Sequence, residues 1–63
     1  MENQIRTLRK EQKLSQKTIS ERVDVSRQTI NAIENNKYDP TLKLAFRLAD
    51  ELNTTVDELF KKE

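Results

Sequence analysis

The 63-residue chain has no cysteine, no histidine and no glycine, and it contains a single proline. Without cysteine it can form neither a disulfide framework nor a thiolate nucleophile. Without histidine as well, it lacks the commonest general base and the usual ligands of transition metals. We therefore expect no cofactor, no metal site and no enzymatic activity.

Long hydrophobic runs are missing too. No apolar stretch approaches the roughly 20 residues of a membrane-spanning helix, and the N-terminus lacks the apolar segment of a signal peptide. These absences predict a cytoplasmic protein that does not contact a membrane. We expect one small domain over residues 1–63, with a core that is only marginally stabilising by itself.

The net charge of +1 conceals an uneven distribution. Residues 1–49 carry 10 Lys and Arg against 6 Asp and Glu, a net charge of +4, whereas residues 50–63 carry 2 against 5, a net charge of −3. A basic region of this kind suits a face that meets phosphate groups. Charge asymmetries of this size are common, so charge alone does not indicate nucleic-acid binding, and a sequence motif is needed as well.

Because glycine is absent, Asn, Asp, Ser and Thr must form the turns and cap the helices. Five helices are predicted, and the residues that open them are Asn3, Ser15, Ser26, Thr41 and Thr55. The fourth helix runs to about Leu52, and the fifth begins with a Thr-x-x-Glu capping box. No segment shows the alternation of a strand, so the predicted fold is an all-α five-helix bundle.

Apolar residues recur at helical spacing within each segment. In the first, second, third and fifth helices they are Ile5 and Leu8, Ile19 and Val23, Ile30 and Ile33, and Val56, Leu59 and Phe60. The fourth helix is predicted to bury Leu42, Ala45, Ala49 and Leu52, with Phe46 and Leu48 at the flanks. Leu44 falls on the opposite side of this helix, where we expect it to be exposed.

The sequence of residues 15–35 predicts two short capped helices on either side of a tight turn, which is the helix-turn-helix layout. The segments that carry a wider resemblance are Leu14-Ser15-Gln16, Val25-Ser26, Thr29-Ile30, Ile33-Glu34-Asn35, Pro40-Thr41-Leu42 and Val56-Asp57-Glu58-Leu59-Phe60. In this order they resemble the DNA-binding domains of phage repressors and Cro-like regulators, the XRE family. Family members usually have glycine where this chain has Asp24 and Asn36. We expect the fold to tolerate both, with a slightly altered turn around Asp24.

The resemblance implies a transcriptional regulator, which we interpret as a repressor that binds double-stranded DNA. One recognition helix covers only a few base pairs, so we expect a homodimer on a two-fold symmetric operator. An alternative is an antitoxin or adaptor of the same fold that acts mainly through a protein partner.

Helical geometry places Arg27, Gln28 and Asn31 on the outward side of the third helix, close to its N-terminal cap. This end of a recognition helix meets base edges. An arginine fork matches guanine, and the amides of Gln and Asn match adenine. The alternative is a solvated polar face, and the family resemblance favours base contact.

A second set of residues is predicted to contact the DNA backbone around the recognition helix. Its members are Ser15, Gln16, Lys17, Thr29, Asn35, Lys37, Tyr38 and Lys43. Simpler alternatives remain: Ser15 caps the second helix, the lysines are solvated, and Tyr38 packs on the edge of the domain with its hydroxyl exposed.

Glu34 falls on the inward side of the third helix, where an unpaired carboxylate is costly. The family resemblance implies Arg9 of the first helix as its partner in a structural ion pair.

The residues predicted to form the dimer contact follow the fourth helix and continue into the fifth. They are Leu52, Asn53, Thr54, Val56 and Phe60. Packing within the same chain is the alternative, and it is stronger for Leu52 and Val56 than for Phe60.

Overall fold

A computed structural model describes residues 2–61 of the chain. The described part contains five helices in the predicted order. They are α1 (Ile5–Glu11), α2 (Gln16–Arg22), α3 (Arg27–Glu34), α4 (Leu42–Glu51) and α5 (Val56–Leu59). The ends of the predicted domain, residue 1 and residues 62–63, lie outside the described residues.

Four of the five predicted caps form as side-chain hydrogen bonds. In each, the hydroxyl accepts a bond from the backbone N–H three residues ahead, and the capping residues are Ser15, Ser26, Thr41 and Thr55. The reciprocal half of the predicted capping box does not form. The Glu58 carboxylate instead accepts a hydrogen bond from Thr54 Oγ1 at 3.2 Å.

The start of α1 differs by one residue from the prediction. Gln4, not Asn3, stands at the N-cap position, and its side chain makes no capping bond. Asn3 contributes from outside the helix, because its Oδ1 accepts a hydrogen bond from the Ile5 N–H at 3.2 Å. Its Nδ2 donates to the Ile33 carbonyl at 2.8 Å and so joins the start of α1 to the end of α3.

Helices α1 to α4 all end in a left-handed residue, and none of these residues is glycine. The four are Lys13, Asp24, Asn36 and Asn53, with φ between 56° and 61°. After each, the next N–H bonds back to a carbonyl five residues earlier, as in a Schellman motif; Val25 N–H to the Ser20 carbonyl, at 3.0 Å, is one example. The turn at Asp24 is therefore closed in the same way as the other three.

A short β-ribbon that the sequence pattern did not indicate joins the two ends of the described chain, and the fold is otherwise the predicted five-helix bundle. Strand β1 (Glu2–Asn3) pairs antiparallel with β2 (Phe60–Lys61), with Asn3 opposite Phe60. The Gln4 N–H extends the pairing by donating to the Leu59 carbonyl at 2.8 Å. Strands of two residues are too short to produce an alternating pattern in a sequence.

The core lies between the helices and is almost entirely aliphatic. Its buried members are Ile5, Ile19, Val23, Ile30, Ile33, Ala45, Leu48, Ala49, Leu52, Leu59 and Phe60. The described helices, within residues 2–61, include none with the length and hydropathy needed to cross a membrane.

The burial predicted for α4 is wrong at three positions. Leu42 is 68% exposed and Leu48 is fully buried, whereas Leu44 is half-buried against the core. The helical wheel describes directions around one helix, but it does not locate the neighbours. Leu42 lies in the first turn of α4, where it borders an open groove beside α5. Helix α5 therefore does not cover its side chain.

Candidate nucleic-acid interface

Helices α2 and α3 form one unit whose packing fixes the direction of the outer face of α3. The apolar side chains of Ile19 in α2, of Val23 at its C-cap, and of Ile30 and Ile33 in α3 are all buried in the core. The link is only Val23–Ser26, with Asp24 in the left-handed conformation. A short link between two packed helices leaves α3 little freedom to rotate about its axis.

Arg27, Gln28 and Asn31 are all exposed in the structure. The first two follow the Ser26 cap directly, and Asn31 lies one turn further along α3. An arginine and two amides on one exposed helix surface offer both hydrogen-bond donors and acceptors, which is the chemistry that major-groove edges require. The structure therefore brings together the three residues predicted to contact bases.

Glu34 lies at the centre of the polar contacts behind this surface, and its side chain is 0% exposed. Arg9 approaches it with two nitrogens, Nε at 2.9 Å from Oε2 and Nη2 at 3.2 Å from Oε1. Arg9 also donates through Nη1 to the Leu14 carbonyl at 3.0 Å. Arg9 and Glu34 thus form the ion pair expected from the family resemblance.

Two further donors reach Glu34 that the sequence did not reveal. Arg6 Nε and Gln16 Nε2 each lie 3.2 Å from Oε1. Burial, the largest single influence, disfavours the charged carboxylate. The hydrogen bonds from Arg9, Gln16 and Arg6, with the charge of Arg9, outweigh it and hold the pKa of Glu34 below its usual value.

The same contacts continue outward to the surface of α3. Gln16 Nε2 also donates to Asn31 Oδ1 at 3.2 Å. Asn35 Nδ2 donates to the Asn31 carbonyl at 2.9 Å and to Asn31 Oδ1 at 3.2 Å, while Arg6 Nη2 donates to Asn35 Oδ1 at 3.1 Å. We call the six residues joined by these contacts the polar network: Arg6, Arg9, Gln16, Asn31, Glu34 and Asn35.

The residues predicted to contact the DNA backbone lie in three places. Ser15, Gln16 and Lys17 are at the N-terminus of α2, where Ser15 serves as the cap and Gln16 turns inward to the polar network. Asn35 caps the C-terminus of α3, and Lys37 is exposed just beyond it.

The third place is a groove between the α2–α3 turn and the start of α4. Thr29, Tyr38 and Lys43 line it, and Tyr38 is 49% exposed. Arg47 lines the same groove although the sequence analysis did not select it. Its position one helical turn after Lys43 was the available signal, because residues four apart share a helix face.

The predicted dimer residues divide into two groups. Leu52 is 1% exposed and Phe60 is 9% exposed, so both side chains pack mainly within the chain. Asn53 and Thr54 form the turn after α4, and Val56 is half-buried at the start of α5.

Val56 and Phe60 belong to an apolar surface whose other members, on and before α4, were not predicted from the sequence. Leu42 is 68% exposed and Phe46 is 58% exposed, and they are one turn apart on α4. Leu42 also lines a groove with Pro40, Val56 and Phe60. We call these five residues the α4–α5 patch.

Comparison with known proteins agrees with this geometry. Residues 5–59 match a family model described as helix-turn-helix. The chain belongs to this helix-turn-helix family. It is a DNA-binding family of transcription regulators and not one of enzymes.

Two relatives and one solved structure cover nearly all of this regulator. It is 42% identical over 60 residues to an uncharacterized HTH-type transcriptional regulator of Methanocaldococcus jannaschii, covering 95% of this chain and 91% of the relative. A similar regulator of Methanothermobacter thermautotrophicus is 44% identical over 61 residues, with coverages of 95% and 88%. The restriction-modification controller protein C.AhdI from Aeromonas hydrophila has the same fold, with a TM-score of 0.82, 28% identity and coverages of 89% and 85%.

Proposed function

We propose that this helix-turn-helix regulator is a transcriptional repressor that binds a two-fold symmetric operator as a homodimer. In this proposal α3 enters the major groove, and Arg27, Gln28 and Asn31 contact base edges. The observation that carries it is the exposure of these three side chains on one face of a helix whose orientation is fixed by packing and by the polar network.

The residues around α3 support a division between side chains that contact bases and side chains that position the protein on the DNA backbone. Ser15 and Lys17 at the N-terminus of α2, and Lys37, Tyr38 and Lys43 after α3, are exposed on either side of the proposed reading surface. Thr29 lines the groove that also contains Tyr38 and Lys43. In this proposal Gln16 and Asn35 contact the DNA backbone while their hydrogen bonds hold the Asn31 side chain. Contacts to phosphates fix the register of a protein on DNA, whereas contacts to base edges carry the sequence information.

The homodimer is supported by the α4–α5 patch. A domain of 28 × 21 × 19 Å presents one recognition helix, and two such domains side by side match half-sites about 34 Å apart. Exposed leucine and phenylalanine side chains one turn apart are better covered by an apolar partner than by water. Of the residues selected from sequence, Val56 and Phe60 belong to this patch, Asn53 and Thr54 form the turn between α4 and α5, and Leu52 is buried in the core.

Selection of bound sequences from a random DNA pool, at near-physiological salt, tests the proposal. We expect a symmetric motif whose half-sites are about one helical turn apart. Binding without sequence preference would contradict the repressor proposal, and a single unpaired half-site would contradict the homodimer. A repressor is then distinguished from an activator by transcription from a promoter that contains the selected operator.

A further inference from the structure

The polar network fixes which end of the Asn31 amide faces outward. Glu34 sets the direction of these bonds, because an ionised carboxylate only accepts hydrogen bonds. Gln16 must therefore present its NH₂ group to Glu34 Oε1, 3.2 Å away. The same Nε2 lies 3.2 Å from the Asn31 amide, so the atom that Asn31 turns towards it is the acceptor, Oδ1.

A second path reaches the same conclusion from the other side of α3. A guanidinium only donates, so the atom of Asn35 that lies 3.1 Å from Arg6 Nη2 is Oδ1. The other end of the Asn35 amide is then its NH₂ group. That group donates to the Asn31 backbone carbonyl at 2.9 Å and to Asn31 Oδ1 at 3.2 Å.

Asn31 Oδ1 consequently receives two hydrogen bonds, which is the capacity of an amide oxygen. No residue within 2–61 accepts a hydrogen bond from its Nδ2, and the side chain is exposed. Two ordered donors on one oxygen leave the NH₂ group as the available end of this side chain.

We propose that Asn31 acts as a donor-only reader and that its base position selects guanine over adenine. This inference rests on the proposed function, in which Asn31 contacts a base. Guanine offers two acceptors in the major groove, O6 and N7, whereas adenine pairs an acceptor with the N6 donor. The usual bidentate match of asparagine with adenine needs a free Oδ1, and here that oxygen is occupied.

Turning the amide around to read adenine breaks both bonds to Oδ1. A hydrogen bond of this kind contributes a factor of roughly 2 to 12 in an equilibrium constant. Both donors are partly accessible to water, so part of the loss is recovered. We expect the preference for guanine at the Asn31 position to be about 5-fold.

The experiment uses the operator obtained by selection and first locates the Asn31 position. It is the position at which the Asn31→Ala variant loses base preference. The affinity of the unaltered protein is then measured for duplexes with each base there, and for 7-deazaguanine, which lacks the N7 acceptor. We expect guanine to bind best, 7-deazaguanine to bind more weakly, and Asn31→Ala to be indifferent between guanine and adenine.

A variant of the polar network tests whether the network orients the Asn31 amide, without removing the contact that Asn31 makes with the base. The double substitution Gln16→Ala and Asn35→Ala removes both donors to Oδ1 but leaves Asn31 in place. We expect overall affinity to fall and the guanine-to-adenine ratio to move towards unity. Lys37→Ala is the matched control, because it removes an exposed cation next to the network and should lower affinity without changing the ratio.

The outcomes are distinguishable from a failure of the proposed function. A chain that selects no sequence overturns that function and this inference with it. A chain that selects an operator but prefers adenine at the Asn31 position, or whose Asn31→Ala variant changes no base preference, overturns the inference alone. A double variant that keeps the full guanine preference likewise shows that the network does not orient Asn31.

Discussion

Two regions of this small domain are held together by different chemistry. Behind the outer face of α3, the polar network places an ionised carboxylate under two arginines and an amide. In contrast, α4 and α5 rely on aliphatic packing and leave Leu42 and Phe46 largely exposed. Directional bonds fix side-chain orientation, which a reading surface needs, whereas apolar contact needs only shape and area.

The largest effect is expected from breaking the polar network at its centre. Glu34→Ala removes the charge that satisfies Arg9, whose side chain is only 12% exposed, and leaves that guanidinium buried without its partner. We expect the free energy of unfolding to fall by about 3 kcal/mol, measured by urea denaturation.

Glu51→Ala is the matched control for this substitution. Glu51 pairs with Arg22 at 3.8 Å, and both side chains are substantially exposed. A pair of this kind contributes no more than about 1 kcal/mol. Equal losses in the two variants would contradict the structural role of Glu34.

The next effect concerns the α4–α5 patch. Phe46→Ser is expected to weaken self-association roughly 30-fold, or about 2 kcal/mol, because an exposed aromatic anchor is lost from the proposed dimer contact. Sedimentation equilibrium across a concentration series measures it directly. Tyr38→Ser is the control, since Tyr38 is similarly exposed but lies in the groove beside α3. If both variants associate like the unaltered protein, the dimer contact lies elsewhere.

A smaller effect is expected at the helix ends. Lys13 and Asp24 adopt φ of 57° and 61° just before α2 and α3, at a cost of about 1–2 kcal/mol each relative to glycine. Replacing either with glycine removes this cost but increases the entropy of the unfolded chain. We expect the free energy of unfolding of each variant to rise by about 0.5–1 kcal/mol, measured by thermal unfolding.

Asn53→Gly, in the apolar region, provides the comparison for these variants. Asparagine enters the left-handed region more readily than lysine or aspartate, so the gain there should be smaller. An equal or larger gain at Asn53 would mean that the conformational cost is not concentrated beside α2 and α3.

The last prediction concerns protonation of Glu34, which changes the stability of the fold only at acidic pH. Its pKa in the folded state is below the value of about 4.3 for an unfolded chain. The stabilisation is therefore complete above that unfolded value, and it is lost as the pH falls through the folded pKa. Thermal unfolding of Glu34→Gln should depend more weakly on pH than that of the unaltered protein in this acidic range, and an equal dependence would contradict the lowered pKa of Glu34.

The sequence predicted the helices well because their caps are local. Ser15, Ser26, Thr41 and Thr55 each bond an N–H three residues away, so nothing beyond the segment is needed to recognise them. The β-ribbon was missed because Asn3 and Phe60 are brought together only by the whole fold.

The sequence predicted which residues of α3 face outward, but it did not predict how their side-chain amides are oriented. Helical geometry alone places Asn31 outward, yet the direction of its amide depends on Gln16, Glu34 and Arg6, which come from three different helices. Arg6 gave no signal because it lies on the outer side of α1, next to the buried Ile5. Contacts between separate elements are not encoded in the periodicity of one element.

The most direct test of the central claim, that α3 reads bases while its surroundings position it, compares two variants on the same random DNA pool. Arg27→Ala is expected to lose preference at one position of each half-site, with the other positions unchanged. Lys37→Ala is expected to keep the complete motif and to bind every sequence more weakly, with a shallower dependence on salt. Identical selected motifs from Arg27→Ala and the unaltered protein would contradict the account.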